Sequence, residues 1–230
     1  YIAFRNQCNL NICENGFEIL EKFISQSEID LIKTEVDAFP EDYPKFGIRN
    51  ANDKFNTIKK LCSSEKLIQK AESILKGKTN LVRVIFFDKT PEHNWLVTWH
   101  QDKTICVNAK ADIEQWKAWS IKDGKHHVQP SIDVLNKMVA FRVHLDDTDE
   151  KNGCLKVIPY SHKLGILAQN EIDLISKKEQ PFSCTVKAGD ALIMRPHLLH
   201  SSSKSVIPSH RRVVHIEFSS YQLPCNLSWS

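Results

Sequence analysis

The chain has 230 residues, of which 41% are hydrophobic and 26% are charged, and its formal net charge is +3 at pH 7. These values indicate a globular domain with a buried core and exclude a disordered chain. No basic block concentrates the positive charge, so nucleic acid is not an expected partner. The longest apolar run, VIFF, is too short to span a bilayer, so no membrane contact is expected. The seven cysteines lack Cys-x-x-Cys spacing, and no signal-peptide core stands near the N-terminus, which favours reduced thiols and a cytoplasmic location.

The first third of the chain shows helical patterns. Ser25 and Glu28 form a capping-box signature, and the apolar residues that follow recur at helical spacing until Pro40. A second apolar stripe begins near Ser63 and ends at Gly77. We therefore predict a helical N-terminal part over residues 1–78 of a single domain, 1–230.

After Gly77 the pattern changes to short segments rich in β-branched and aromatic residues, separated by turn residues. The segments are 81–88, 95–102, 137–145, 153–159, 182–188, 190–195 and 212–219. Strands without regular helices between them predict an antiparallel sandwich or jelly roll over residues 79–220. The connection within 106–137 is longer than an ordinary loop, which predicts a lid or binding element.

One polar motif stands at the end of a predicted strand. In WHQD, His100 and Asp102 are two residues apart, so an extended backbone points both side chains to the same face. A second His-x-Asp pair occurs at His144 and Asp146, and either pair could be a hydrogen-bonded histidine near a strand end. The motif therefore needs a partner elsewhere in the chain.

Non-haem iron(II) sites use two imidazoles and one carboxylate and leave the other metal positions open. The segment MRPHLLHSSS offers His197 or His200 as a third ligand. If His200 is the ligand, Arg211 lies eleven residues further on and could sit on the adjoining strand, where its guanidinium could bind a carboxylate of a bound molecule. The odd offset between the two histidines puts them on opposite faces of an extended segment.

Taken together, WHQD, LDDTDEKNGCLKVIPYSH and LLHSSS, with Arg211 beyond them, resemble the phytanoyl-CoA dioxygenase family of Fe(II)- and 2-oxoglutarate-dependent oxygenases. The likeness runs from about Arg49 to Phe218. It implies a mainly β fold with N-terminal helices and a double-stranded β-helix core, the jelly-roll or cupin-like architecture.

The resemblance also implies roles for individual residues. It assigns Fe(II) to His100, Asp102 and His200. It assigns the co-substrate 2-oxoglutarate to Arg211, Ser202, Gln101, Ile85 and Arg49.

Arg142 departs from the family pattern, which commonly has tryptophan at this position. A buried unpaired guanidinium is costly, so Arg142 either faces solvent or binds an anionic group of the substrate or co-substrate. In the predicted lid, Trp119, His127 and Gln129 are candidate substrate contacts, although Trp119 could equally pack the lid and a polar loop commonly exposes its histidines. We expect His144, His210 and His215 to be surface or packing residues.

The function implied by the resemblance is a dioxygenase that uses O2 to hydroxylate a small or medium organic substrate and releases succinate and CO2. Halogenases related to this family lack the carboxylate, so the presence of Asp102 indicates a hydroxylase. Arg142 and the mild positive charge favour an anionic substrate. The alternative function is a non-catalytic, metal-binding cupin-like module, which would not need Arg211. A purely structural β sandwich would leave His100, Asp102 and His200 apart in space.

Overall fold

The computed structural model describes residues 11–40, 47–90, 93–206 and 210–230. The first elements form the N-terminal part of the chain. In chain order they are α1 (Ile12–Asn15), β1 (Phe17–Leu20), α2 (Gln26–Asp37), β2 (Gly47–Arg49), α3 (Ala51–Lys54), α4 (Asn56–Cys62) and α5 (Glu65–Leu75). The two predicted helices correspond to α2 and α5. The short helices and the two strands in this part were not predicted.

The remaining elements are mainly strands. They are β3 (Asn80–Lys89), β4 (Val97–His100), β5 (Ile105–Val107), β6 (Lys117–Lys122), β7 (Lys125–Gln129), α6 (Ile132–Asn136), β8 (Met138–His144), β9 (Leu155–Val157), α7 (Gln169–Lys178), β10 (Phe182–Cys184), β11 (Ala191–Met194), β12 (His200–Ser202) and β13 (Arg211–Ser219). Each of the seven predicted segments contains a strand, but α7, between β9 and β10, contradicts the expectation of no regular helix there. None of the helices in these ranges is long and apolar enough to cross a membrane.

Two antiparallel sheets face each other and form the jelly roll. The larger sheet has the order β1-β11-β8-β13-β3-β2, and the smaller has the order β10-β9-β12-β4. Leu155 and Val157 of the smaller sheet pack against Ala140 and Leu192 of the larger one in a buried apolar cluster. The predicted fold class, mainly β with N-terminal helices and a jelly-roll core, is confirmed.

The N-terminal helices cover the outer face of the larger sheet. The capping box that starts α2 is formed as predicted, because Ser25 N donates to Glu28 Oε2 at 2.7 Å and Glu28 N donates to Ser25 Oγ at 3.3 Å. The helix then buries Ile29, Ile32 and Val36 in the same cluster as residues of β3, β8 and β13. This layer leaves the inner face of the larger sheet free to form a cavity with the smaller sheet.

The segment predicted as a lid is mostly a third sheet with the order β5-β7-β6. A hairpin joins β6 to β7 through Asp123 and Gly124, whose φ angles are 49° and 75°. Two positive φ angles suit the right-handed twist of a hairpin, and Asp-Gly is a favoured pair there. The sheet buries Ile105 and Val128 against Val82, so the segment is anchored to the domain by its own apolar contacts.

Gly153 follows the turn between β8 and β9, at one end of the cavity. Its φ is +70°, and a Cβ at this position would collide with the backbone carbonyl oxygen of Ser203. The Gly153 carbonyl accepts hydrogen bonds from Ser202 Oγ at 2.9 Å and from Arg211 Nη1. This glycine therefore allows the backbone of two segments to approach closely beside Ser202 and Arg211.

We expect Gly153→Ala to lower the free energy of unfolding by about 3 kcal/mol, from the positive φ and from the collision together. Gly124→Ala is the matched control, because Gly124 also has a positive φ but no atom lies within 4 Å of the added Cβ. The control should cost only about 1 kcal/mol. Urea denaturation of the two variants measures the difference, and equal losses would contradict the role of the collision.

Candidate active site

A cavity of about 150 Å³ lies between the two facing sheets. Seven of its lining residues were singled out from the sequence for metal, co-substrate or substrate binding: His100, Asp102, His200, Ile85, Ser202, Arg142 and Arg211. They come from β3, β4, β8, β12 and β13 and from the loop that follows β4. Segments separated by about half of the chain therefore meet at one place.

Strand pairing brings the two histidines together. β12 pairs antiparallel with β4 so that His200 lies opposite His100, and the two ring centroids are 4.1 Å apart. Asp102 stands just past the end of β4, where its backbone N donates to Pro196 O at 2.9 Å. Its carboxylate oxygens lie 3.7 Å from His100 Nε2 and 3.5 Å from His200 Nε2. One ligand atom from each of these three residues lies within 4.8 Å of the others.

The same backbone geometry orients both imidazoles. His100 Nδ1 lies 2.8 Å from Thr98 O, and His200 Nδ1 lies 2.8 Å from Leu198 O. A carbonyl oxygen can only accept, so each Nδ1 carries a hydrogen, and each Nε2 faces Asp102, where it is the nitrogen placed to bind a metal. Metal-binding histidines are held by this kind of hydrogen bond from the second ring nitrogen. The donor set therefore fits a divalent metal.

The protonation states in this cluster also suit a metal ligand set. Burial alone would raise the pKa of Asp102, but His200 and His100 outweigh it and hold the pKa of this carboxyl well below its usual range. Burial, and then the neighbouring His200, lower the pKa of His100. A carboxylate is the form of Asp102 that binds a cation, and the lowered pKa of His100 favours its neutral, metal-binding form at neutral pH.

The other candidate ligand, His197, points elsewhere. It is buried, its ring lies 6.2 Å from that of His162, and burial followed by the nearby His162 lowers its pKa to about 4. Neither ring nitrogen has a hydrogen-bond partner within the described ranges. The structure thus brings His200, not His197, to His100 and Asp102.

At the other end of the cavity, three polar side chains form a cluster suited to a carboxylate. Arg211 Nη1 and Lys89 Nζ each lie 3.2 Å from Ser202 Oγ, and Lys89 Nζ also donates to Ser203 O at 2.9 Å. Arg211 and Lys89 are directly opposite each other in the pairing of β13 with β3. The sequence analysis missed Lys89, although its place at the end of the strand before WHQD is a usable signal.

Burial makes both of these cations unusual. Burial, followed by the charges of Arg211 and Arg142, lowers the pKa of Lys89 to about 7. Burial and then Arg142 lower the pKa of Arg211 to about 10, so this guanidinium stays charged at neutral pH. An anion placed between Lys89 and Arg211 would relieve their mutual repulsion.

Arg142 lies on β8 with its side chain at the cavity, and it is half-buried rather than directed to bulk solvent. Its Nη1 lies 3.3 Å from His215 Nδ1, and His215 Nε2 lies 2.9 Å from Glu217 Oε1. Glu217 is bound by Arg83 through contacts of 2.7 and 3.1 Å. His215 was expected to be a surface or packing residue, but it is buried in the cavity wall and linked to Arg142.

Two of the predicted co-substrate residues lie outside the cavity wall. Gln101 sits between His100 and Asp102, so strand alternation turns its side chain away from them. Its amide instead bonds to Gly165 O, His197 O and Leu167 N at 2.7–2.9 Å. Gln101 therefore anchors neighbouring loops and does not line the cavity.

Arg49 likewise does not line the cavity. It lies opposite Ile85 at the edge of the larger sheet, but its exposed side chain pairs with Asp123 at 3.4 Å. The Asp-Gly hairpin, which the sequence analysis did not identify, supplies this partner. Ile85 itself does line the cavity, as expected.

The three substrate candidates from the predicted lid do not line the cavity either. Trp119 packs against Trp116 with ring centroids 6.3 Å apart. His127 is buried beside Cys106, whose Sγ lies 3.5 Å from its Nδ1, and Gln129 is paired with Lys117 across the hairpin. The strand pairing of this small sheet holds all three away from the cavity.

Comparison with known proteins was decisive for the family. Residues 12–213 match the phytanoyl-CoA dioxygenase (PhyH) family. The chain belongs to this family. It is therefore a 2-oxoglutarate-dependent dioxygenase, as the sequence resemblance predicted. A comparison with curated proteins found no match.

Several solved structures share the fold at low sequence identity. AviO1 from Streptomyces viridochromogenes Tue57 is 19% identical, with a TM-score of 0.68 and 93% of each chain covered. HygX from Streptomyces hygroscopicus, with nickel, 2-oxoglutarate and hygromycin B bound, is 15% identical, with a TM-score of 0.66 and 90% of this chain and 84% of that chain covered. EctD from S. alaskensis, with bound Fe, is 15% identical, with a TM-score of 0.67 and 90% and 74% covered.

The metal-binding role of the cluster can be tested against the rejected histidine. We expect His200→Ala to weaken Fe(II) binding by more than about tenfold, because it removes one of three metal ligands. Mutation of a residue that only hydrogen-bonds to a metal ligand already lowers metal affinity by about tenfold or more. His197→Asn is the matched control and should bind one metal ion as tightly as the wild type. Anaerobic equilibrium dialysis with metal analysis gives both affinities. Loss of iron in the His197 variant alone would reverse the assignment.

Proposed function

We propose that this dioxygenase hydroxylates a small or medium organic substrate bearing an anionic group, with Fe(II) held by His100, Asp102 and His200. The observation that carries the proposal is the convergence of two imidazoles and one carboxylate in a cavity that also contains Arg211. Bound iron, together with 2-oxoglutarate, supplies the oxygen-activating chemistry that converts the co-substrate to succinate and CO2.

The cation cluster at the far end of the cavity would hold the distal carboxylate of 2-oxoglutarate. Arg211 offers a planar guanidinium, Lys89 a second positive charge and Ser202 a hydroxyl between them. Ile85 and Phe87 supply apolar wall between this cluster and the metal ligands. With its distal end fixed, the co-substrate would direct its 2-oxo acid group toward His100, Asp102 and His200, so these residues act by positioning.

Hydroxylation rather than halogenation is supported by Asp102. Its carboxylate occupies the third protein ligand position, which in related halogenases is left open for halide. The low pKa of this carboxyl keeps it charged and available to the metal at neutral pH.

A non-catalytic metal-binding module is the alternative, and the charges in the cavity argue against it. Burying Arg211 and Lys89 without an anion is costly, and a module that only binds a metal gains nothing from it. A small-molecule substrate is supported by analogy, since HygX has been crystallised with hygromycin B.

The proposed activity has a direct spectroscopic and chemical test. Anaerobic addition of 2-oxoglutarate to the Fe(II)-loaded protein should produce the weak visible absorption band of the chelated co-substrate. Exposure to oxygen should then release succinate in proportion to the 2-oxoglutarate consumed. An iron-loaded protein that shows neither the band nor succinate would contradict the proposal and favour the binding module.

The pKa of Lys89 predicts how co-substrate affinity depends on pH. An anion beside Lys89 favours its charged form, so 2-oxoglutarate should bind tightly below about pH 7 and lose affinity as Lys89 deprotonates. We expect the dissociation constant to rise by about tenfold from about pH 7 to about pH 8.5. Isothermal titration calorimetry measures this slope.

Lys89→Met should bind more weakly at pH 7 and lose the slope. Lys187→Met is the matched control, because Lys187 is exposed and paired with Asp147 at 2.8 Å. It should keep the wild-type profile. A Lys89 variant with an unchanged profile would remove this residue from the co-substrate site.

A further inference from the structure

Arg142 is a charged group that the proposed mechanism does not use. It lines the cavity, and its Nε has no hydrogen-bond partner within the described ranges. No ion pair joins Arg142 to a carboxylate in the part of the chain that the structure describes. Arg142 therefore presents to the cavity a hydrogen-bond donor that has no acceptor, and a positive charge that no carboxylate pairs with, among the residues described.

The side chain is nevertheless held in a fixed orientation. A guanidinium can only donate, so the contact of Arg142 Nη1 with His215 Nδ1 makes that nitrogen the acceptor. His215 is therefore neutral, and its Nε2 hydrogen is donated to Glu217. Glu217 is already paired with Arg83 through two contacts, so its negative charge is neutralised by Arg83 and does not compensate the charge of Arg142. The guanidinium also lies over the Phe87 ring, 5.7 Å from its centroid.

The strand pairing places the backbone of Arg142 nearer the metal end of the cavity than that of Arg211, although the two guanidinium charges are close enough for Arg142 to lower the pKa of Arg211. Along β13, His215 is the residue opposite Arg142, and it is four positions from Arg211, which corresponds to roughly 13 Å of strand. A ring nitrogen of His215 lies within 4.8 Å of a carboxylate oxygen of Asp102. One contact thus separates Arg142 from a side chain that neighbours a proposed metal ligand.

The charges at the two ends of the cavity differ in how they would be matched. The distal carboxylate of 2-oxoglutarate would satisfy Arg211 and Lys89 together. Asp102 is committed to the metal, and Glu217 to Arg83. A single carboxylate beside Arg142 would complete the remaining site, with both of its oxygens available to one planar guanidinium.

We propose that Arg142 binds a carboxylate at the metal end of the cavity, as a second anion-binding group distinct from Arg211. The inference rests on the proposed function. Two molecules could supply this carboxylate: the 2-oxo acid end of 2-oxoglutarate, or an acidic primary substrate. Both present the same chemistry to the guanidinium, and they can be separated by the choice of probe.

The first arm of the test measures co-substrate binding to the anaerobic Fe(II)-loaded protein by calorimetry. The probes are 2-oxoglutarate and 2-oxopentanoate, which keeps the 2-oxo acid group but lacks the distal carboxylate. If Arg142 holds the 2-oxo acid end, Arg142→Gln should weaken both probes by the same factor, about tenfold or more. Arg142→Lys keeps the positive charge but lacks the planar guanidinium, so its affinity for both probes should lie between that of the wild type and that of Arg142→Gln.

The second arm uses the same proteins saturated with 2-oxoglutarate and titrated with benzoate, with benzamide as the neutral comparison. If an acidic primary substrate supplies the carboxylate, the wild type should prefer benzoate. Arg142→Gln should then lose this preference while its affinity for 2-oxoglutarate stays unchanged. Lys187→Gln removes an exposed charge and should leave every affinity unchanged in both arms.

Thermal unfolding without ligand separates a binding role from a structural one. Because Arg142 carries an unmatched charge, Arg142→Gln should melt at the wild-type temperature or above it. Equal affinities of wild type and variants for every probe would overturn the inference, and so would weaker binding of 2-oxoglutarate alone, which would place Arg142 at the distal carboxylate. A wild-type protein that binds no 2-oxoglutarate would instead contradict the proposed function, and the inference with it.

Discussion

The pairing of β12 with β4 is the constraint on which the site depends. It places His200 opposite His100 and leaves Asp102 just beyond the end of the strand, beside both rings. A shift of one residue in this register would turn His200 to the opposite face of the sheet. Hydrogen bonds from each Nδ1 to a carbonyl two residues earlier then fix which nitrogen faces the cavity. The strand geometry therefore sets both the position of the proposed metal ligands and the ring nitrogen that each histidine presents.

The cavity contains buried charges that would be unfavourable in a purely structural core. Three cations line or border the space between the sheets: Arg142, Arg211 and Lys89. Burial lowers the pKa of each of them, and repulsion from neighbouring cations lowers the pKa of Arg211 and of Lys89 further. Such groups are tolerated when a ligand supplies the missing anions. The arrangement thus favours ligand binding at some expense of stability. In the proposed complex, Arg211 and Lys89 bind the distal carboxylate of 2-oxoglutarate, and Arg142 binds a carboxylate at the metal end of the cavity.

The sequence was sufficient to predict the parts of the site that depend on local spacing. The His-x-Asp pair, the choice of His200 over His197 and the positions of Arg211 and Ser202 follow from strand alternation and from the family resemblance, and the structure brings these side chains together. The capping box of α2 was equally readable, because its two residues satisfy each other directly.

What the sequence did not reveal depends on contacts between distant segments or on weak local signals. The pairing of β3 and β8 with β13 brings Lys89 beside Ser202 at the edge of the cavity and His215 into its wall. The amide of Gln101 is taken by loop carbonyls and a loop N–H that no spacing rule identifies. The Asp123-Gly124 pair is a hairpin signal, but we interpreted this segment as a loop. We therefore predicted that the lid residues contact the substrate, whereas the hairpin holds them away from the cavity.

The central claim is tested most directly by an anaerobic crystal structure with Mn(II) and 2-oxoglutarate. The account predicts one metal ion bound by His100, Asp102 and His200, with the distal carboxylate of the co-substrate between Arg211 and Lys89. A metal ion bound instead by Asp102, His215 and Glu217, the second group of potential ligands in the described residues, would contradict it.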